Sequence, residues 1–563
     1  MEKRLTKIPE ANRSVFGWPF GIVDGRKLIR AAINRDQARS FRSRDVSLAT
    51  LIERGFAPKD SQIEILLIFP PSSVSHRYGK ANLGDLGGDL IPLGIASIAA
   101  FLRERGFGVG VLDCCALCLD YTQIVDLIKE KRPRIVGLSS TTYTLPSTIE
   151  LAKRIRTAIP DQLIILGGSH ANVAGAETID QYDVFDIVAV GADGEYTTLD
   201  VINAYRKCEY SRSNLLESLD LINSIDGIYY TSAGKAVATK PRSLISDLDE
   251  LPFPARDLFP LERYAPLPNQ YKSLPLTNMV VIRGCPYVCT FCDQAETIAR
   301  TRSPERTVQE ISHCVEHYGV KEISFWDDTM SYNKKWMRKF CELLIEENIN
   351  VIWSCYAAVN TVNEEILHLM KKAGCWNIFY GFETGVAELL KNIDAHKKNR
   401  SFEEMKKVSK WTQDAGIEIR GSFMLGLPGE TPELAKKTIE QAIELDPEYA
   451  QFSITTPYPG TRLYREIKDG KWGKFTTTDF SEFQGWNVVF LPIGYRDKGE
   501  VWEMERKAFQ KFYFRPSYII KKALSIRSLE DLKRYIRGGV ALVSGFAFGP
   551  MPEHVRTRTG RTP

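Results

Sequence analysis

Arg283-Gly284-Cys285-Pro286-Tyr287-Val288-Cys289-Thr290-Phe291-Cys292 places three cysteines in eight residues, spaced C-x3-C-x2-C. The apolar run Met279 to Ile282 precedes it and predicts a strand, and Gly284 and Pro286 mark a turn. A tight loop after a strand aims three thiolates at one place, and thiolates are the usual ligands of iron–sulfur clusters. Three ligands on a four-iron cubane leave one iron open for chemistry. A structural zinc site wants four closed ligands, and no second cysteine pair lies nearby to complete one.

Downstream of this loop a regular alternation begins. Strands are expected at Met279 to Ile282, Glu322 to Trp326, Val351 to Tyr356, Asn377 to Phe382, Glu418 to Leu425 and Ala450 to Thr455. Helical spacing fills the intervals at Val308 to Tyr318, Lys335 to Glu347, Asn363 to Ala373, Phe402 to Ala415 and Glu433 to Leu445. Six such units predict a partial (β/α)6 TIM-like barrel, with its working groups at the carboxyl ends of the strands. Three of those ends are polar: Trp326-Asp327-Asp328-Thr329, Gly381-Phe382-Glu383-Thr384-Gly385, and Gly421-Ser422-Phe423-Met424-Leu425-Gly426. Asn360, after the third strand, is given no role. Past Pro457-Tyr458-Pro459-Gly460 the chain turns helical, at Gly499 to Phe512 and Ser528 to Tyr535, and Glu553 to Pro563 is a polar, basic tail.

Upstream lies a second alternation. Strands are expected at Ile63 to Phe69, Val109 to Leu112, Ile135 to Ser139, Leu163 to Leu166 and Ile187 to Val190, with helices at Pro92 to Arg105, Gln123 to Lys131 and Thr148 to Ile159. Each strand is nearly all apolar, which implies a doubly wound, Rossmann-like parallel sheet covered on both faces. Ligands of such sheets bind outside the carboxyl ends of the strands. Ile225 to Ala238 predicts a hairpin, and the proline-stiffened Leu248 to Asp257 predicts a linker. Cys114, Cys115 and Cys118 follow the second strand and are expected to act as small apolar residues. The first sixty residues are rich in arginine, with one helical stretch at Arg26 to Asn34, and are expected to pack as an extension.

The totals bound the function. The chain has 563 residues, room for two or three domains, with 44% hydrophobic and 26% charged residues. A net charge of +4 gives no reason to expect a nucleic-acid partner. No apolar run reaches the length of a membrane span, and Met1-Glu2-Lys3-Arg4 starts no secretory signal. Eleven cysteines in a chain this long suit a reducing, cytoplasmic setting rather than a disulfide scaffold.

The cysteine loop and the strand-end motifs resemble those of the radical S-adenosylmethionine enzymes. The upstream pieces Gly88-Asp89-Leu90-Ile91-Pro92-Leu93-Gly94, Gly167-Gly168-Ser169-His170-Ala171 and Gly191-Ala192-Asp193-Gly194-Glu195 resemble the cobalamin-binding domain of one branch. That branch includes natural-product methyltransferases and the anaerobic magnesium-protoporphyrin IX monomethyl ester cyclase. The resemblance covers about Ile63 to Tyr535. It implies a 4Fe-4S cluster on Cys285, Cys289 and Cys292, whose open iron binds S-adenosylmethionine. It further implies S-adenosylmethionine contacts from Phe291 beside the adenine, Asp327 or Asp328 at the methionine ammonium, and Glu383 at the ribose or ammonium. The glycine-rich strand with Gly421 and Gly426 would lie beside the adenine. Cobalamin would meet Gly88, Leu93, Ser139, Gly167, Gly168, His170, Gly191, Gly194 and Glu195. Members that ligate cobalt through histidine usually carry D-x-H-x-x-G; here Val74 replaces the aspartate before His76. Without a carboxylate to orient that ring, no protein histidine is expected on cobalt.

The resulting expectation is an α/β chain in five parts. They are an extension (1–60), a cobalamin-binding domain (61–215), a hairpin and linker (216–270), a radical core (271–495) and a C-terminal helical segment with its tail (496–563). The resemblance implies methylation of an unactivated carbon of a small-molecule substrate, through a 5'-deoxyadenosyl radical and methylcobalamin. An external one-electron donor of the flavodoxin or ferredoxin type would supply the reducing electron. Cyclisation or rearrangement without methyl transfer, and a non-catalytic cobalamin or redox sensor, are the rival readings.

Overall fold

The computed structural model describes residues 46–56, 62–72, 88–264, 266–526, 535–536, 538–539 and 542. The stretch around His76, the helix expected at Arg26 to Asn34, most of the helix expected at Ser528 to Tyr535, and the C-terminal tail lie outside these residues.

The first sheet has seven strands in the order β2-β1-β3-β4-β5-β6-β7. They are β1 Ile65–Phe69, β2 Val109–Asp113, β3 Ile135–Ser139, β4 Leu163–Gly167, β5 Ile187–Ala189, β6 Ile228–Ser232 and β7 Lys235–Ala238. The first five are parallel, with Ile65 opposite both Val109 and Ile135. Their apolar side chains feed a buried cluster on each face, one under the helices Leu93–Glu104 and Gly194–Lys207, the other under Tyr121–Lys131 and Leu145–Ala158. The chain order reverses between β1 and β3, which opens a crevice beyond their carboxyl ends. The hairpin expected in the linker pairs antiparallel with β5 instead and completes this sheet. The short helix Leu48–Gly55 adds Leu51 to the same core, and Phe56 bridges to Gly110.

The second sheet has six parallel strands, β15-β14-β13-β12-β11-β8, in sequence order across the sheet. They are β8 Leu276–Met279, β11 Glu322–Phe325, β12 Ile352–Ala357, β13 Cys375–Glu383, β14 Glu418–Leu425 and β15 Tyr449–Ile454. The single strand expected at Met279 to Ile282 is divided. β8 ends at Met279, and Ile282 and Arg283 form β9, a two-residue ribbon with β10 Arg300–Thr301. The break has a cause: the Val281 and Ile282 N–H groups donate to Asp327 Oδ1, both at 2.6 Å, and not to a neighbouring strand.

Helices Lys498–Tyr513 and Pro516–Leu524 close one side of this sheet. Tyr513 Oη donates to the Ala450 carbonyl at 2.8 Å, and Tyr518 Oη to the Glu448 carbonyl at 2.9 Å. The linker runs between the two sheets. Its fully buried Arg256 pairs with Glu310 at 2.8 Å and donates to the Asn278 carbonyl at 3.0 Å.

Candidate active site

The cysteine loop is held by its own backbone and by two distant residues. Gly284 has φ +91°, and a Cβ there would stand 2.4 Å from the Ile298 carbonyl oxygen, so the turn into the loop requires glycine. The Cys285 N–H donates to Thr297 Oγ1 at 2.8 Å and the Glu296 N–H to the Tyr287 carbonyl at 2.8 Å. Tyr287 Oη donates to Asn360 Oδ1 at 2.6 Å. Asn360, which the sequence left without a role, thus anchors the loop.

Cys285 and Cys289 are buried and Cys292 is half-buried. Burial pushes the Cys292 thiol up to about 12 and raises the other two. Cys289 feels both Cys285 and the charges of Lys398 and Glu383, and Cys292 feels Cys289 and Asp328, so the three thiols share one electrostatic neighbourhood. No three His, Cys, Asp or Glu side chains among the described residues converge on single-ion distances. Cys114, Cys115 and Cys118 differ in setting: Cys114 is buried, Cys118 is exposed, and Cys115 Sγ donates to the Pro70 carbonyl at 3.2 Å.

The strand-end carboxylates differ in what they touch. Asp327 is buried and its Oδ1 holds the backbone ahead of the loop, while its Oδ2 is buried with no partner. Burial pushes Asp327 up to about 7. Asp328 faces the cavity between the sheets, and burial, with Asp293 nearby, pushes it up to about 6. Glu383 ends β13 at a register irregularity with φ +61°, an uncommon conformation for a non-glycine residue. Its Oε1 accepts from Lys398 Nζ at 2.7 Å. Lys398 is largely buried; burial alone would lower its pKa, but Glu383 and the cysteines carry it upward. Nothing in the run Lys397-Lys398-Asn399 marks Lys398 in advance; only the fold brings it to the thiols.

A Cβ on Gly421 would crowd the Phe382 and Phe423 rings at about 3.1 Å, and the Gly426 N–H donates to Glu430 Oε1 at 2.6 Å. Phe291 packs beside Leu463, Ile467 and Phe490.

Beyond the carboxyl ends of β1, β3, β4 and β5 lies a cavity of about 600 Å3. Leu93, Ser139, Gly167, Gly168, Gly191, Gly194 and Glu195, which the resemblance assigns to cobalamin, line it. Cβ atoms built on Gly94, Gly167 and Gly191 meet nothing within 4 Å, so the missing side chains leave room for a large ligand. Gly168, at φ +94°, lies so close to Ser140 that a Cβ would reach its carbonyl oxygen at 2.5 Å. The opposite wall comes from the cysteine loop and the segments just beyond β8 and β11: Val280, Arg283, Gly284, Asp293, Trp326 and Asp328.

Gly88 and His170 do not line this cavity. His170 is fully buried, with Nδ1 3.2 Å from Thr142 Oγ1 and Nε2 3.0 Å from Thr178 Oγ1. Burial pushes its imidazole down to about 4. Both ring nitrogens are engaged, so His170, for which the glycine-rich surroundings suggested a cobalamin contact, packs as a buried, hydrogen-bonded side chain.

Arg283, two residues before the first cysteine, reaches across the cavity. Its guanidinium donates to Asp193 Oδ1 at 2.7 Å and to Glu195 Oε1 at 2.6 Å, and Arg300 donates to Asp193 Oδ2 at 2.6 Å. Ser97 Oγ also donates to Glu195 Oε1, at 2.7 Å. Burial would raise Asp193, but Arg300, the Ile245 N–H and Arg283 hold it below its usual range.

Two family descriptions match the chain: "B12 binding domain" over residues 79–201 and "Radical SAM superfamily" over residues 279–442. An uncharacterized methyltransferase of Pyrococcus horikoshii is 31% identical over 486 residues, 84% of this chain and 98% of the relative. The anaerobic magnesium-protoporphyrin IX monomethyl ester cyclase of Rubrivivax gelatinosus is 27% identical over 444 residues, 77% of this chain and 76% of the relative. Among solved structures, the radical S-adenosylmethionine methyltransferase TsrM from Kitasatospora setae, with cobalamin and a [4Fe-4S] cluster bound, aligns with a TM-score of 0.62 at 16% identity. It covers 85% of this chain and 98% of that one.

Proposed function

Because this chain belongs to the radical S-adenosylmethionine enzymes that carry a B12-binding domain, we propose that it methylates an unactivated carbon of a small molecule. Its cofactors are a 4Fe-4S cluster, S-adenosylmethionine and cobalamin. When bound, they supply a 5'-deoxyadenosyl radical that takes a substrate hydrogen and a methyl group that replaces it.

The chain's own residues prepare that chemistry. In this reading Cys285, Cys289 and Cys292 hold three irons, and the buried setting of the thiols keeps water from the cluster. Asp327 fixes the backbone of Val281 and Ile282, and Asn360 fixes Tyr287, so the loop is braced on both sides. Glu383 and Lys398 offer a buried carboxylate and ammonium in the electrostatic neighbourhood of the thiols, and would suit the amino acid end or the ribose of S-adenosylmethionine. Asp328 offers a second carboxylate from the cavity wall. The glycines of the first sheet leave room for the corrin, and an external one-electron donor of the flavodoxin or ferredoxin type provides the electron.

The observation that carries methyl transfer is the shared cavity. Its walls include Gly167 and Gly191 of the first sheet and Gly284 and Asp328 of the second, so a corrin there would face the radical chemistry directly. The similarity to the cyclase favours one rival, ring formation without methyl transfer. Anaerobic turnover of a small-molecule extract with trideuteromethyl S-adenosylmethionine separates the two. Methylation yields a product that carries three deuteriums in its new methyl group, with one 5'-deoxyadenosine and one S-adenosylhomocysteine per turnover. An unlabelled product formed with 5'-deoxyadenosine alone would identify the rival, and no 5'-deoxyadenosine at all would sink both.

A further inference from the structure

A second cavity, of about 710 Å3, lies between the second sheet and helix Lys498–Tyr513, and Trp326 lines both cavities. This is the size range of small-molecule sites. Its walls are aromatic: Tyr356 and Phe379 from neighbouring strands, Phe452 from β15, and Phe509 and Tyr513 from the helix. Aromatic faces on opposed walls favour a flat guest.

One residue breaks the pattern. Glu505 lies on the helix face that otherwise buries Val501, Met504, Ala508, Phe509 and Phe512. It is 5% exposed and lines the cavity. Among the described residues its carboxylate has no hydrogen bond and no ion pair, and burial alone raises its pKa well above the usual carboxylate range. A solvated helix face cannot explain a carboxylate so deeply placed. A core role would favour leucine, since an unpartnered buried acid is costly. A partner that arrives with the ligand accounts for it. Apart from Lys522, the other polar side chains of the lining, among them Gln451, Ser453 and Asn269, are neutral. The ammonium of Lys522 lies 4.3 Å from the centre of the Tyr449 ring, where its charge is already engaged.

We propose that this cavity takes a flat, largely apolar substrate bearing one basic nitrogen, and that Glu505 receives that nitrogen. The proposal deepens the methylation reading, because Trp326 puts the substrate next to the cobalamin cavity. A carboxylate facing a cation in a dry pocket forms a charge-assisted hydrogen bond, and the aromatic walls add cation–π attraction.

Equilibrium dialysis of the full-length holoenzyme against three probes of one shape tests this. The probes are 2-naphthylmethylamine, 2-naphthylmethanol and 2-naphthoate. The amine is expected to bind at least tenfold tighter than the alcohol, and the carboxylate weakest. In Glu505→Gln, which keeps the shape, the amine should fall to the level of the alcohol while the alcohol is unchanged. A carboxylate that binds as well as the amine would assign the charge recognition to Lys522 and overturn the proposal, as would an amine preference that survives in Glu505→Gln. The wild-type series needs no variant to fold and no turnover to occur, so it succeeds or fails separately from 5'-deoxyadenosine formation.

Discussion

At the scale of single residues, the structure gives two of the strand-end carboxylates different work. Asp327 holds backbone N–H groups, and Glu383 holds Lys398 beside the thiols. Asp327→Ala would leave two buried N–H groups without an acceptor, each worth about 1 to 3 kcal/mol. It should therefore lower the iron and sulfide content of the reconstituted enzyme. Glu383→Ala should keep the cluster and weaken S-adenosylmethionine by about 1.5 to 3 kcal/mol, roughly ten- to a hundredfold in affinity. Iron analysis and equilibrium dialysis on both variants check this. An Asp327→Ala enzyme with full iron and weakened S-adenosylmethionine would return Asp327 to the ammonium role that its position in Trp326-Asp327-Asp328 suggested. Replacing Cys285, Cys289 and Cys292 together by alanine should abolish both the cluster absorbance and 5'-deoxyadenosine while bound cobalamin stays. A triple variant that still cleaves S-adenosylmethionine would remove the loop from the mechanism.

At the scale of elements, most strands were legible because their apolar runs are bounded by glycine, proline or charge, and burial on both faces made those runs continuous. What escaped was decided by partners distant in sequence. Val280 to Ile282 has the composition of a strand, yet a carboxylate some forty-five residues away takes its N–H groups. The hairpin was visible in Gly227 to Lys235, but nothing local says that β6 would pair with β5. His170 carried a glycine-rich signature, and only the threonines at 142 and 178 show it to be core. The turn after β14 adds a pH dependence. Glu430 Oε1 accepts from the Gly426 N–H at 2.6 Å and from Tyr495 Oη at 2.5 Å, its Oε2 is buried without a partner, and burial pushes it up to about 7. A carboxyl raised in the folded state binds more protons folded than unfolded, so stability falls as pH rises. Its contribution is complete below the usual carboxylate value and is lost as pH rises through about 7. Thermal unfolding from pH 5 to 8 should show wild type losing up to about 3 kcal/mol relative to Glu430→Gln. Parallel curves for the two proteins would mean that Glu430 keeps an ordinary pKa.

At the scale of the whole molecule, the two sheets are joined where the cofactors would meet. Asp193 and Glu195 are almost fully buried, and both depend on Arg283 across the cavity. Arg283→Met leaves two buried carboxylates short of a cation, a loss of about 3 to 5 kcal/mol for a broken buried pair. Unfolding followed by cobalamin absorbance and by far-ultraviolet circular dichroism should coincide in wild type and separate in Arg283→Met, with cobalamin released first. Coincident curves in the variant would show that Arg256 and the linker suffice to join the sheets. The bridge also bears on how this chain could be recombined with a relative. A hybrid that joins one half of this chain to the complementary half of a relative would have to supply counterparts of Asp193 and Glu195 together with those of Arg283 and Arg300 as one set. A mismatched parent on either side would strand charge in the interior, so the two halves are not free to exchange partners one at a time.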